Sequence, residues 1–160
     1  MTRIREADPV GDRPSLLSFI MGSQNFEHAI EPNRRLDTPV AAEHLERLLA
    51  HLKDHDGRMF VAEDENGALI GWAVVSEFKG EAFVVPEERD YAYVFELFVA
   101  EAQRGEGIGR ALIAACEEWA KAKNFKTIQI GVLFGNARAA KIYREAGYSD
   151  YALELRKYLR

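Results

Sequence analysis

The sequence predicts one α+β domain built on a mixed sheet. Three observations predict it. The chain begins with apolar residues at helical spacing. An alternating strand–turn–strand stretch follows. After it, apolar strands and amphipathic helices take turns to the end of the chain. The length of 160 residues suits one domain with a single core. No internal repeat, low-complexity stretch or linker divides residues 1–160.

Taken in order, Thr2 to Ala7 reads as a short first strand. Residues 12 to 30, with Leu16, Leu17, Phe19 and Ile20, read as one helix or two short ones. Asp37 to Lys53 reads as a helix. Thr38 stands at its cap position, Pro39 suits the first turn, and Ala42, Leu45, Leu48, Leu49 and Leu52 recur at helical spacing. Met59 to Glu63 and Ala68 to Phe78 form a hairpin, for which Asn66-Gly67 is the turn signal. Residues 79 to 90 read as a polar loop. Tyr91 to Val99, "YAYVFELFV", is a strand so apolar that both of its faces need cover. Ile108 to Lys123 is a helix with Ile108, Leu112, Ala115, Cys116 and Trp119 on one face. "KTIQIGVLF" is another strand. Asn136 to Ala146 is a helix closed by Gly147, and Tyr151 to Leu159 reads as a last strand.

Composition narrows the partners. Apolar residues make up 48% and charged residues 29%, which is an ordinary globular balance. A net charge of −5 disfavours a nucleic-acid surface and mildly favours a cationic substrate. The one cysteine, Cys116, permits no intrachain disulfide, so a reducing compartment is expected. The first residues carry charges where a signal peptide needs an apolar core, and no segment approaches the ~20 apolar residues of a membrane span. The expected location is the cytoplasm, with no membrane partner.

The stretch "RGEGIGR", Arg104 to Arg110, lies between the apolar strand and a helix. A dinucleotide fingerprint would put its third glycine at Arg110, and the acidic residue due about 20 positions later is missing. The P-loop's Gly-Lys-Ser/Thr is absent as well. What remains is R-x-x-G-x-G, formed by Arg104, Gly107 and Gly109. It would offer unpaired N–H groups and a helix dipole to an anion, or else be a tight turn with no ligand. Glu96 is the one charge inside Tyr91–Val99, and a buried acid needs a partner or a task. Asn136 opens a helix, and Tyr143 follows seven residues later on the same face. Taken singly, they read as a cap and a core tyrosine.

Together these residues resemble the GCN5-related N-acetyltransferase (GNAT) family. The likeness rests on residues 94 to 148. It includes R-x-x-G-x-G and then N-x-x-A-x-x-x-Y with a Gly-aromatic pair, here Asn136, Ala139, Tyr143 and Gly147-Tyr148. The resemblance implies a mixed, mostly antiparallel sheet of about six to seven strands with a central splay, flanked by about four helices. It implies acetyl-CoA as cosubstrate and no metal. On the resemblance, the backbone amides of Gly105, Glu106, Gly107, Ile108, Gly109 and Arg110 hold the pyrophosphate, and Arg104 belongs to the same cofactor-binding set. Leu97, Phe98 and Val99 pair with the pantetheine arm as an added strand would. Asn136, Ala139 and Tyr143 complete the cofactor contacts, with Asn136 bonding the pantetheine or else orienting the acceptor. Glu96 is then the candidate base for an amine acceptor and Tyr143 the candidate acid for the leaving thiolate. Residues 21 to 32 and 78 to 91 would shape the acceptor pocket, with Gln24, Glu27 and His28 as candidate contacts. A non-catalytic acyl-CoA sensor on the same fold is the alternative reading.

Three further features invite other readings. His51 and His55 have the spacing of a helical metal pair but lack an evident third ligand, so a solvated helix end is preferred. Cys116 reads as a small core residue. "YALELRKYLR" alternates like an edge strand, which admits a homodimer.

Overall fold

The computed structural model describes residues 1–159. Five strands form one sheet in the order β1 (Arg3–Glu6), β2 (Arg58–Glu63), β3 (Leu69–Lys79), β4 (Asp90–Val99) and β5 (Ile128–Ile130). The first four pair antiparallel, and β5 pairs parallel to β4. The helices are α1 (Arg13–His28), α2 (Val40–Asp54), the single turn α3 (Pro86–Arg89), α4 (Ile108–Ala122) and α5 (Ala137–Glu145). The mixed, mostly antiparallel sheet expected from the sequence is present, with five strands rather than six or seven.

The sheet is covered on both faces, as the apolar β4 requires. On one face, Leu16, Phe19 and Ile20 of α1 and Ala41, Leu45 and Leu48 of α2 bury Trp72, Val74 and Val61. On the other, Ile108, Leu112, Cys116 and Ala120 of α4 bury Ala73, Val75, Ala92 and Val94. Period-2 alternation along β3 thus feeds two cores. Cys116 is buried in the second core, and burial pushes its thiol up to about 12, which suits a packing residue.

Several expectations are corrected. Thr38 does not cap α2: Pro39 occupies the cap position and no side chain bonds there. The polar loop 79–90 contains the turn α3, where Pro86 suits a first-turn position. β5 is three residues long, although nine residues read as strand. The Tyr151–Leu159 strand does not form. Residues 151–159 have no regular structure and are exposed throughout. Alternation marks a segment able to pair, but a strand exists only where a neighbouring edge supplies the hydrogen bonds.

Candidate active site at the end of the fourth strand

Strict alternation along β4 would place Glu96 on the same face as Ala92 and Val94, against α4. The register prevents this. Val75 pairs with Val94 and Val74 pairs with Glu96, so Phe95 is an extra residue, a β-bulge. Beyond it the face order is reversed, and Phe95 and Glu96 both look toward α1 and α2. The charge that an apolar strand tolerates poorly is thereby placed in the wall of a cleft of about 290 Å³, beside Ser23, Gln24 and Glu27 of α1 and Val40 and His44 of α2.

The pairing of β5 with β4 ends at Val94 with Ile130, so Phe95–Val99 has no β5 neighbour. This is the expected splay. Ala100 donates its N–H to Ile70 O, so by antiparallel alternation the peptide groups of Leu97 and Val99 face away from β3, toward the gap.

The glycine loop closes the same end of the strand. Gly105 and Gly107 have φ of +94° and +82°, a left-handed backbone that side chains with a Cβ disfavour. Gly107 is the N-cap of α4, and no side chain caps this helix. Among the described residues, the N–H groups of 105 to 110 have no acceptor. The loop therefore presents a row of free donors at a helix N-terminus, which fits the phosphates of an acyl-CoA. Glu106 and Arg110 are exposed there. Arg104 is half-buried beside the loop. Its Nε donates to Val99 O at 3.0 Å, and its Cζ lies 5.2 Å from the Phe26 ring centre and 5.6 Å from that of Phe98. The side chain ties loop, strand and α1 together.

At α5, the Asn136 Oδ1 accepts the Ala139 N–H at 3.1 Å, so Asn136 is the helix cap. Tyr143 is partly buried. Burial first, and the negative charge of Glu27 second, push its hydroxyl up to about 12. Tyr143 is not among the residues that line the cleft. Of the other candidates, Gln24 lines the cleft and donates its Nε2 to Arg35 O, whereas His28, whose Nδ1 bonds Arg34 O, does not line it. None of residues 78–91 lines the cleft.

The sequence reading missed His44. Its Nε2 lies 2.5 Å from Glu96 Oε1. The hydrogen bond to Glu96 raises the imidazole above its ordinary value, while desolvation and Arg47 act in the opposite direction. One signal was legible: His44 stands midway in the row Val40–His44–Leu48, whose outer members are buried. A titratable residue on a core-facing row is a candidate for a buried partner. His51 and His55 lie side by side with their rings tilted by 31° and their centres 4.3 Å apart, and His51 Nε2 bonds Ser76 Oγ at 2.7 Å. Among the described residues, no three His, Cys, Asp or Glu side chains gather to hold a metal ion. No helix among them is long and apolar enough to cross a membrane.

An uncharacterized N-acetyltransferase of Methanocaldococcus jannaschii is 33% identical over 98 residues, which span 61% of this chain and 41% of that protein. An aminoglycoside N(6')-acetyltransferase type 1 of Stenotrophomonas maltophilia is 25% identical over 112 residues, or 70% of this chain and 72% of the relative. The chain thus spans about two fifths of the first relative and somewhat over two thirds of the second. A Bacillus halodurans protein of known structure superposes with a TM-score of 0.84 at 22% identity, covering 99% of both chains, a likeness of fold. The family model described as "Acetyltransferase (GNAT) family" matches residues 24–148, from the cleft side of α1 through α5, and the chain belongs to that family.

Proposed function

We propose that this domain transfers an acetyl group from acetyl-CoA directly to a primary amine on a small cationic acceptor. The observation that carries the reading is the β4 bulge. It turns Glu96 into a cleft at the same end of the strand where the loop amides 105 to 110 lack acceptors. Donor and acceptor sites thus meet across one strand end, which converts a bimolecular encounter into a positioned one.

Acetyl-CoA supplies an activated thioester carbonyl. The amides of residues 105 to 110 hold its pyrophosphate, and the free edge of Leu97 and Val99 offers backbone pairing to the pantetheine arm. An alkyl ammonium titrates near ~10.4, so it must lose a proton before it attacks. Glu96 and its partner His44 provide the proton-accepting wall of the cleft. The backbone N–H of Val99, which faces the gap, stabilises the oxyanion. Tyr143, whose hydroxyl stays protonated at neutral pH, protonates the departing sulfur. Glu27 and Glu96 favour a cationic acceptor, and the Stenotrophomonas relative is named for one that carries several amines.

The test is thiol release from acetyl-CoA with a panel of aminoglycosides, polyamines and lysine peptides. Release that depends on a polyamine or aminoglycoside is expected. Tight acetyl-CoA binding with no acceptor-dependent release across the panel would replace this reading with a sensor. The donor half has its own check. A Cβ added at Gly109 would meet only Val99 Cγ2, at 3.8 Å, an ordinary contact. Gly109→Ala should therefore leave the unfolding temperature at or above that of the wild type, since alanine is the better helix former. It should weaken acetyl-CoA binding in calorimetry, because the methyl stands among the donor amides. Unchanged binding would remove the loop as the phosphate cradle.

A further inference from the structure

The contact between His44 and Glu96 joins residues 52 positions apart, one from α2 and one from the β4 bulge. Both line the cleft. The two are not equally accessible: the His44 side chain is 40% exposed and that of Glu96 17%. The imidazole is therefore the more accessible of the two groups. The ring has one nitrogen committed. Nε2 faces Glu96 Oε1, and Nδ1 makes no hydrogen bond among the described residues. With Nε2–H donating to the carboxylate, the lone pair of neutral His44 resides on Nδ1. We propose that His44 and Glu96 form one proton-accepting pair, in which His44 Nδ1 takes the proton from the acceptor amine and Glu96 orients the neutral ring and stabilises the imidazolium that results. This deepens the acetyl-transfer reading and rests on it.

The proton balance is complete. The acceptor ammonium gives one proton to Nδ1, and the freed lone pair forms the N–C bond to the thioester carbonyl carbon. The C–S bond breaks with its electron pair on sulfur, which takes the Tyr143 hydroxyl proton. The nitrogen then sheds a second proton, which restores Tyr143. The first proton leaves His44 for solvent.

The pair is better suited to this task than an unassisted imidazole. An ordinary imidazole titrates near ~6.5, some four units below an alkyl ammonium, and the proton-transfer driving force grows as that gap narrows. Glu96 narrows it by raising His44. The charged groups that face the ring are Glu96 from β4, Arg47 from its own helix, which opposes the rise, and Glu27 from α1, itself paired with Arg34 at 2.7 Å. Activity needs neutral His44, so it falls as pH drops through the raised value. Removing the Glu96 charge moves that fall to lower pH.

The decisive experiment compares kcat/KM against pH for wild type, His44→Gln and Glu96→Gln, with His44 titrated by NMR in wild type and Glu96→Gln. Glutamine at 44 keeps a donor for Glu96 but cannot accept the proton. We expect His44→Gln to lose at least about 10²-fold in kcat and to lack the acid limb, with acetyl-CoA KM unchanged. We expect Glu96→Gln to shift the limb, and the NMR pKa of His44, downward. A His44→Gln enzyme with wild-type rate and limb, or a His44 pKa indifferent to Glu96→Gln, overturns the pair. If wild type itself shows no acceptor-dependent thiol release, the acetyl-transfer reading fails instead, a result separable from either of these.

Discussion

Tyr143→Phe should lower turnover by about 10²- to 10⁴-fold, the usual weight of a positioned proton donor, while acetyl-CoA affinity stays near that of wild type. The hydroxyl is the only group removed, and the ring that fills the space beside Tyr148 remains. Burial and Glu27 push the phenol up to about 12, so it is protonated across the working range and contributes no alkaline limb. The variant's kcat should therefore fall by the same factor at every pH between about 6 and 9, as expected for an acid that does not titrate there. Steady-state kinetics with calorimetric binding of acetyl-CoA check both halves. A variant with wild-type turnover would leave Tyr143 as a packing residue of α5. A loss confined to acetyl-CoA affinity would make it a binding residue.

Trp72→Ala should be among the most destabilising single changes, at about 3–5 kcal/mol. Trp72 is fully buried, it stands opposite Phe98 in the β3–β4 register, and its ring lies 6.4 Å from that of Phe19. Phe98 in turn packs on Phe19 at 5.8 Å and underlies the Arg104 guanidinium. The cavity therefore undermines the strand end that carries the site, and activity should fall along with stability. The indole Nε1 has no hydrogen-bond partner, so Trp72→Phe removes a costly orphan donor as well as some volume. The phenylalanine variant should lie much closer to wild type in urea unfolding. Equal losses for the two variants would mean that ring volume contributes little there.

The local elements were legible wherever neighbouring residues decide structure. Asn66-Gly67 marked a turn, and Gly67 does sit at φ +82° between β2 and β3. The 3.6-residue period of Ile108, Leu112 and Cys116 marked the face of α4 that is buried. The glycine stretch between an apolar strand and a helix marked a loop, and Gly105 and Gly107 there have positive φ. The ordered set from Arg104 to Tyr148 carried the family resemblance, and the match over residues 24–148 establishes that membership.

Only the tertiary structure decided the rest. Whether Glu96 faces α4 or the cleft depends on one extra residue opposite β3, and a bulge is a property of the pairing of two strands. The approach of His44 to Glu96 depends on how α2 lies across the sheet, which no local period encodes. Arg104 stands in the motif, but the carbonyl and the two rings that its guanidinium meets are brought to it by folding. The alternating segment Tyr151–Leu159 finds no edge to pair with among the described residues, so its pattern remains without a strand. Side-chain periods and backbone permissions are local and can be read along the chain. Register, splay and the meeting of distant charges are set by packing between elements, and they were fixed only when the sheet and its two helical layers came together.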